Sequence, residues 1–192
     1  MMNIIEYPIL DTPRHLLSIK REEWDAKQAR EYREWLLGNM DARIGYLVRL
    51  IGQPLVGAPS ENLLLVGAKA SPLFRGPFSE AGWFTHPLTN ETWPQRELTL
   101  QGIALGTDIG LLTAKCLMEE LPHLKWETVR RAKKDISYNL PVLKGLAGLN
   151  FDPVATSVSI AEGVANQKRG PERWKQIFEM RLEDGRRSAP PN

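Results

Sequence analysis

The most apolar stretch of the chain lies between Leu98 and Leu121, and glycine recurs there every four residues at Gly102, Gly106 and Gly110, with Ala114 extending the row. This pattern predicts a buried helix with a groove of small residues along one side. Glycine inside a helix costs ~1 kcal/mol relative to alanine, so three on one row call for a compensating close approach by another backbone. Ser157, Ala161 and Ala165 form a second small row at the same spacing. The two helices are expected to cross there, ridge against ridge, at about −50°.

The remaining periodicities fill in the chain around that helix. From about Arg21 to Leu37, Trp24, Ala29, Tyr32, Trp35 and Leu36 share one side of a helical wheel, opposite Glu23, Lys27, Arg30, Arg33 and Glu34. Gly38 and Asn39 end this helix, and Asp41 is expected to cap a second one carrying Ile44, Leu47, Val48 and Ile51 before Gly52 and Pro54. Ser60 and Glu61 open a short third helix, with a buried strand over 62–66 as the alternative. Residues 3–9 suit an edge strand. Residues 71–97 mix prolines and glycines with Phe74, Phe78, Trp83, Phe84 and Trp93, which predicts an ordered irregular loop.

Alternation at 124–129 and 136–143 predicts two strands, with Pro141 confining the second to an edge or a strand end. Asp152 followed by Pro153 reads as an N-cap and an N1 proline, opening a helix with Val154, Val158, Ala161 and Ala165 inward. A last helix begins near Pro171, with Trp174, Ile177, Phe178 and Leu182 inward. The expected fold is α+β and helix-dominated. Its helices pack around the glycine-row helix at about 98–121, with a small sheet from about 124–143. Residues 1–184 are expected to form one globular domain and 185–192 a flexible tail.

Composition narrows the function classes. The 192 residues carry a net charge of +2, and the basic and acidic groups balance in both halves. A general nucleic-acid binder is usually more basic, so nucleic acid is disfavoured as a partner. The single cysteine, Cys116, precludes an internal disulfide and fits a reducing cytoplasm. The opening MMNIIEYPIL lacks the basic region and long apolar core of a signal peptide. The most apolar run is shorter than the ~20 residues a membrane span needs. A cytoplasmic protein with no membrane association is expected.

Few residues offer chemistry. Asp108 lies among Ile103, Leu105, Ile109, Leu111 and Leu112, so it is either paired or at a surface edge, and it is a candidate buried polar site. Cys116 and His123 are two helical turns, roughly 10 Å, apart, which does not make a local dyad. His15, His86 and His123 have no companion at metal-ligand spacing. The glycine row is not a phosphate-cradling Gly-x-Gly-x-x-Gly. No catalytic residue, metal or cofactor is assigned. Lys125, Arg130, Arg131, Lys133 and Lys134 crowd around Trp126 with only Glu127 opposing them, and these six are the candidate partner-binding residues.

The run ALGTDIGLL, then Trp126, Tyr138 to Gly145, and Asn150-Phe151-Asp152-Pro153 ahead of a helix, resembles a set of small uncharacterised bacterial proteins over roughly residues 100–180. That resemblance implies a motif-poor cytoplasmic protein associated with toxin-immunity neighbourhoods. It carries no catalytic residue across. The reading is a non-enzymatic immunity protein that neutralises a toxin domain by direct binding, through the 125–134 patch or the 71–97 loop. The rivals are an enzyme assembled around Asp108 and the 71–97 loop, and a nucleic-acid-associated protein using the basic patch.

Overall fold

A 21-residue helix, α5 (Leu100–Glu120), runs through the centre of the molecule. The computed structural model describes residues 6–74, 79–85, 92–131 and 133–188. Thr99 caps α5 by accepting from the Gly102 amide at 3.1 Å. Gly102, Asp108, Cys116 and most residues between them are buried, so the helix has core on nearly every side. Its small face meets α6 (Pro153–Ala165). A Cβ on Gly106 would lie 3.3 Å from Val158 Cα and 3.4 Å from Ala161 Cβ. On Gly110 it would lie 2.6 Å from the Pro153 carbonyl oxygen and 2.8 Å from Val154 Cα. The two backbones therefore touch along the glycine row, but on the α6 side the contact falls on Pro153, Val154, Val158 and Ala161, and Ser157 of the expected second row turns to Trp174 instead. Gly102 differs, because its nearest neighbours are Leu98 and Thr99 of its own chain segment.

Asp152 caps α6 by accepting from the Ala155 amide at 2.9 Å, with Pro153 in the first turn. Helix α7 (Arg173–Ser188) lays Trp174, Ile177 and Phe178 into the core. The Trp174 indole donates to Ser157 Oγ at 2.8 Å and stacks on Phe74. The expected tail needs correcting over 185–188. Gly185 is buried inside α7, where a Cβ would come 2.2 Å from Leu121 Cδ1, so helix packing and not fraying governs these residues. Residues 189–192 lie outside the described residues.

The amino-terminal half departs from expectation at its boundaries. Residues 6–9 form no strand, and residues 3–5 lie outside the described residues. A short helix, α1 (Arg14–Leu17), comes next. Arg21–Glu23 form a separate 3₁₀ turn, and α2 (Ala26–Gly38) starts only after Asp25, which makes a reciprocal capping box with Gln28. Helix α3 (Met40–Ile51) follows directly from Asn39. Asp41 caps nothing and pairs instead with Lys115 at 2.9 Å. Gly52 closes α3 in the left-handed region that glycine favours. Helix α4 (Pro59–Phe74) has 16 residues, so it is a full helix and neither short nor a strand.

Strands β1 (Ser79–Thr85) and β2 (Thr92–Glu97) pair antiparallel, where an irregular loop was expected. Both strands of an isolated hairpin are edges, so Pro94 inside β2 is tolerated there. Phe78 lies outside the described residues. A second antiparallel sheet joins β3 (Lys125–Thr128), β4 (Pro141–Leu146) and β5 (Leu149–Phe151) in the order β3-β4-β5. It extends past the expected 124–143, and β4 begins at Pro141 instead of Ile136. Among the described residues, no helix is long and apolar enough to cross a membrane.

Candidate functional site

Asp108 is fully buried and both of its carboxylate oxygens are engaged. Arg43 of α3 donates from Nε to Oδ1 at 2.8 Å and from Nη2 to Oδ2 at 2.8 Å, and Tyr7 donates its hydroxyl to Oδ2. The same guanidinium donates to the carbonyls of Pro8 at 2.9 Å and Ile9 at 3.2 Å. This is a two-pronged ion pair with its spare donors used, the arrangement that makes a buried charge tolerable. Burial pushes the Asp108 carboxyl up, the Arg43 and Tyr7 hydrogen bonds pull it back, and it settles at about 6. Burial and the neighbouring Asp108 raise the Tyr7 phenol well above its ordinary value. Asp108 thus ties the residue 7–9 segment to α3 and α5. Its carboxylate lines none of the cavities at 97–169, 21–181, 26–130 or 8–46.

The sequence-predicted basic patch divides in two. Arg130, although exposed, is tied to the fold: its Nη1 donates to the Trp24 carbonyl at 3.2 Å and to Asn139 Oδ1, and its guanidinium sits over the Tyr138 ring. Trp126 is half-buried and packs against the hydrophobic core. Lys125, Arg131, Lys133 and Lys134 are exposed. None of these four forms an ion pair with a carboxylate of the described residues. Ile136, two residues beyond Lys134, is 85% exposed.

Cys116 is buried, and burial pushes its thiol up to about 11, the opposite of an activated nucleophile. His123 faces the Gly145 carbonyl at 3.2 Å, and His15 sits 2.9 Å from Glu31. His86 lies outside the described residues. Among the described residues no three His, Cys, Asp or Glu side chains gather as metal ligands would.

Sequence reading missed a cleft of about 580 Å³ between the 136–140 turn, β5, α6 and α7. Arg21, Arg169, Arg173 and Arg181 line it, with Asp152 as the lone carboxylate and Thr156, Ser159 and Asn150 as neutral polar groups. Arg21 is paired with Glu22 at 3.1 Å and Arg181 with Asp184 at 2.8 Å. Arg169 and Arg173 have no carboxylate partner among the described residues; Arg173 donates instead to Gln176 at 3.1 Å. The four arginines are scattered from 21 to 181, so no local spacing could have announced them. No family model matches this chain, and neither a curated protein nor a solved structure matches it.

Proposed function

We propose that this chain is a non-enzymatic protein-binding protein that covers an acidic partner directly, in the manner of an immunity protein against a toxin domain. The observation that carries the reading is the 131–136 turn, where Arg131, Lys133 and Lys134 stand exposed beside the 85% exposed side chain of Ile136. An apolar anchor rimmed by like charges is the arrangement that gives a protein interface its central contact and its steering field. Nucleic acid is the weaker match, because the rest of the chain is charge-balanced and Arg130 and Trp126, the residues that would complete a stacking and phosphate-gripping set, are engaged in the fold. The enzyme rival loses its named carboxylate to the Arg43 and Tyr7 contacts.

The test is co-purification of the tagged full-length chain from its source cells, beside a variant carrying Arg131→Glu, Lys133→Glu and Lys134→Glu. An acidic polypeptide in equal stoichiometry with the first, lost from the second at unchanged circular dichroism, supports the proposal. Recovery of the chain alone, together with turnover of a small molecule, overturns it.

A further inference from the structure

The arginine-lined cleft is built around one pre-placed head group. The stem of Arg169 lies over Gly163 of α6, where a Cβ would come 2.5 Å from Arg169 Cδ and 2.7 Å from Cγ. Glycine at 163 therefore makes the seat. The turn after α6 fixes the backbone, with the amides of Lys168 and Arg169 both donating to the Gly163 carbonyl, at 2.7 and 3.1 Å, and Gln167 at φ 57. Arg169 Nη1 then donates to the Ser159 carbonyl at 3.0 Å and lies 3.3 Å from Ser159 Oγ. What remains of the guanidinium borders the cleft, and among the described residues no carboxylate forms an ion pair with it.

Arg173, at the start of α7, lines the same cleft and is likewise without an acidic partner among the described residues. Asp152 is the one carboxylate in the lining, and it is 9% exposed and occupied with the α6 amides. A guanidinium fork matches the geometry of phosphate and carboxylate oxygens, and its rigidity limits the entropy lost on binding. The volume of about 580 Å³ is that of a small-ligand pocket. Thr156 and Ser159 add hydroxyl groups, and Phe151 and Ile160 supply apolar wall.

We propose that this cleft binds the phosphate or carboxylate group of a small molecule, with Arg169 and Arg173 as the ligands of the oxyanion. Ile136, the anchor of the proposed partner surface, also lines this cleft, but the 131–134 cations do not, so charge variants at 131–134 separate the fate of this site from that of the partner reading.

Calorimetric titration of the full chain at constant ionic strength, with pyrophosphate and separately with citrate, tests it. Saturable binding is expected for at least one probe, and which one binds tells phosphate from carboxylate chemistry. Arg169→Gln and Arg173→Gln should each weaken that binding about ten- to a hundredfold, the loss expected for one charge-assisted contact. A variant carrying Arg131→Gln, Lys133→Gln and Lys134→Gln should bind as the wild type does. Gly163→Ala should also weaken binding by displacing Arg169, while holding or raising the thermal midpoint because alanine favours the helix. Absence of saturable binding by both probes, or equal affinity in the wild type and both arginine variants, overturns the proposal.

Discussion

Replacing Gly110 with alanine pits helix propensity against packing at a site where the outcome is readable from distances. The new Cβ would sit 2.6 Å from the Pro153 carbonyl oxygen and 2.8 Å from Val154 Cα, both backbone atoms that cannot swing aside. The first turn of α6 must then retreat by about 0.5–1 Å, a gap that forfeits a quarter to a half of each dispersion contact it opens. Overpacking of this kind costs about 1–3 kcal/mol, and two backbone contacts below 3 Å put this site in the upper half, about 2–3 kcal/mol, of which alanine returns ~1 kcal/mol as helix propensity. A net loss of about 1–2 kcal/mol follows, or a thermal midpoint lower by about 2–8 °C at this chain length. The neighbouring positions calibrate the result. Gly106→Ala meets Val158 Cα at 3.3 Å and should be near neutral, whereas Gly102→Ala finds only its own segment at 3.4 Å and should be stabilising. Gly106→Leu, too large for that gap, should cost about 1–3 kcal/mol. Urea denaturation with a common m-value reads the order directly. Gly110→Ala as stable as wild type, with no gradient from 102 to 110, would refute the backbone contact.

Three further outcomes test the polar interior. Tyr7→Phe removes a hydrogen bond to ionised Asp108 and should cost about 1.5–3 kcal/mol at pH 7. Because Asp108 already has a folded pKa of about 6, above its unfolded value of 3.8, its contribution to stability falls as pH climbs from about 4 to about 6. Loss of the Tyr7 bond raises the folded value further, so the deficit of the variant should shrink towards pH 4; a pH-independent deficit in urea melts would refute this. Asn139→Ala strips the Arg21 and Trp24 carbonyls of donors at 2.7 and 3.0 Å and puts alanine at φ 66, so chemical denaturation should show a loss of about 2–4 kcal/mol. Cys116, buried with its thiol pushed up to about 11, should react with a disulfide reagent at pH 8 only at the rate of unfolding, and prompt stoichiometric labelling would contradict that.

The glycine row was legible because close helix packing demands small residues at a fixed interval, which a one-dimensional pattern records, whereas of the expected Ser157, Ala161 and Ala165 row only Ala161 meets it. The Asp152-Pro153 start of α6 was legible for the same reason: a cap and an N1 proline are adjacent in sequence. Other elements carry no such local mark. Strand β5 spans three residues, Leu149–Phe151, too few for alternation to register. The β1–β2 hairpin contains Gly82 and Pro94, both breakers in a sheet interior and both tolerated in a two-stranded ribbon. The start of α2 was misplaced because the amphipathic stripe runs back through Trp24, while the chain is interrupted at Asp25 by a capping box that satisfies its backbone amides.

The candidate site was half legible, and Arg130 shows why. A run of cations in sequence does not tell which of them are solvated, since a guanidinium can bury its stem and give its donors to carbonyls. Arg130 gives its donors to the Trp24 carbonyl and Asn139 Oδ1 while the residue stays exposed, and Asn139 donates on to the Arg21 and Trp24 carbonyls. That lattice anchors the 131–139 turn to the entry of α2, so Arg131, Lys133, Lys134 and Ile136 are carried on a fixed base. A preordered loop loses less entropy on docking than a free one, so Arg130 supports the proposed interface through order rather than contact. Its removal should therefore lower stability and partner affinity together, whereas Lys133→Gln should lower affinity alone; affinity loss without destabilisation in Arg130→Gln would make Arg130 a contact residue after all.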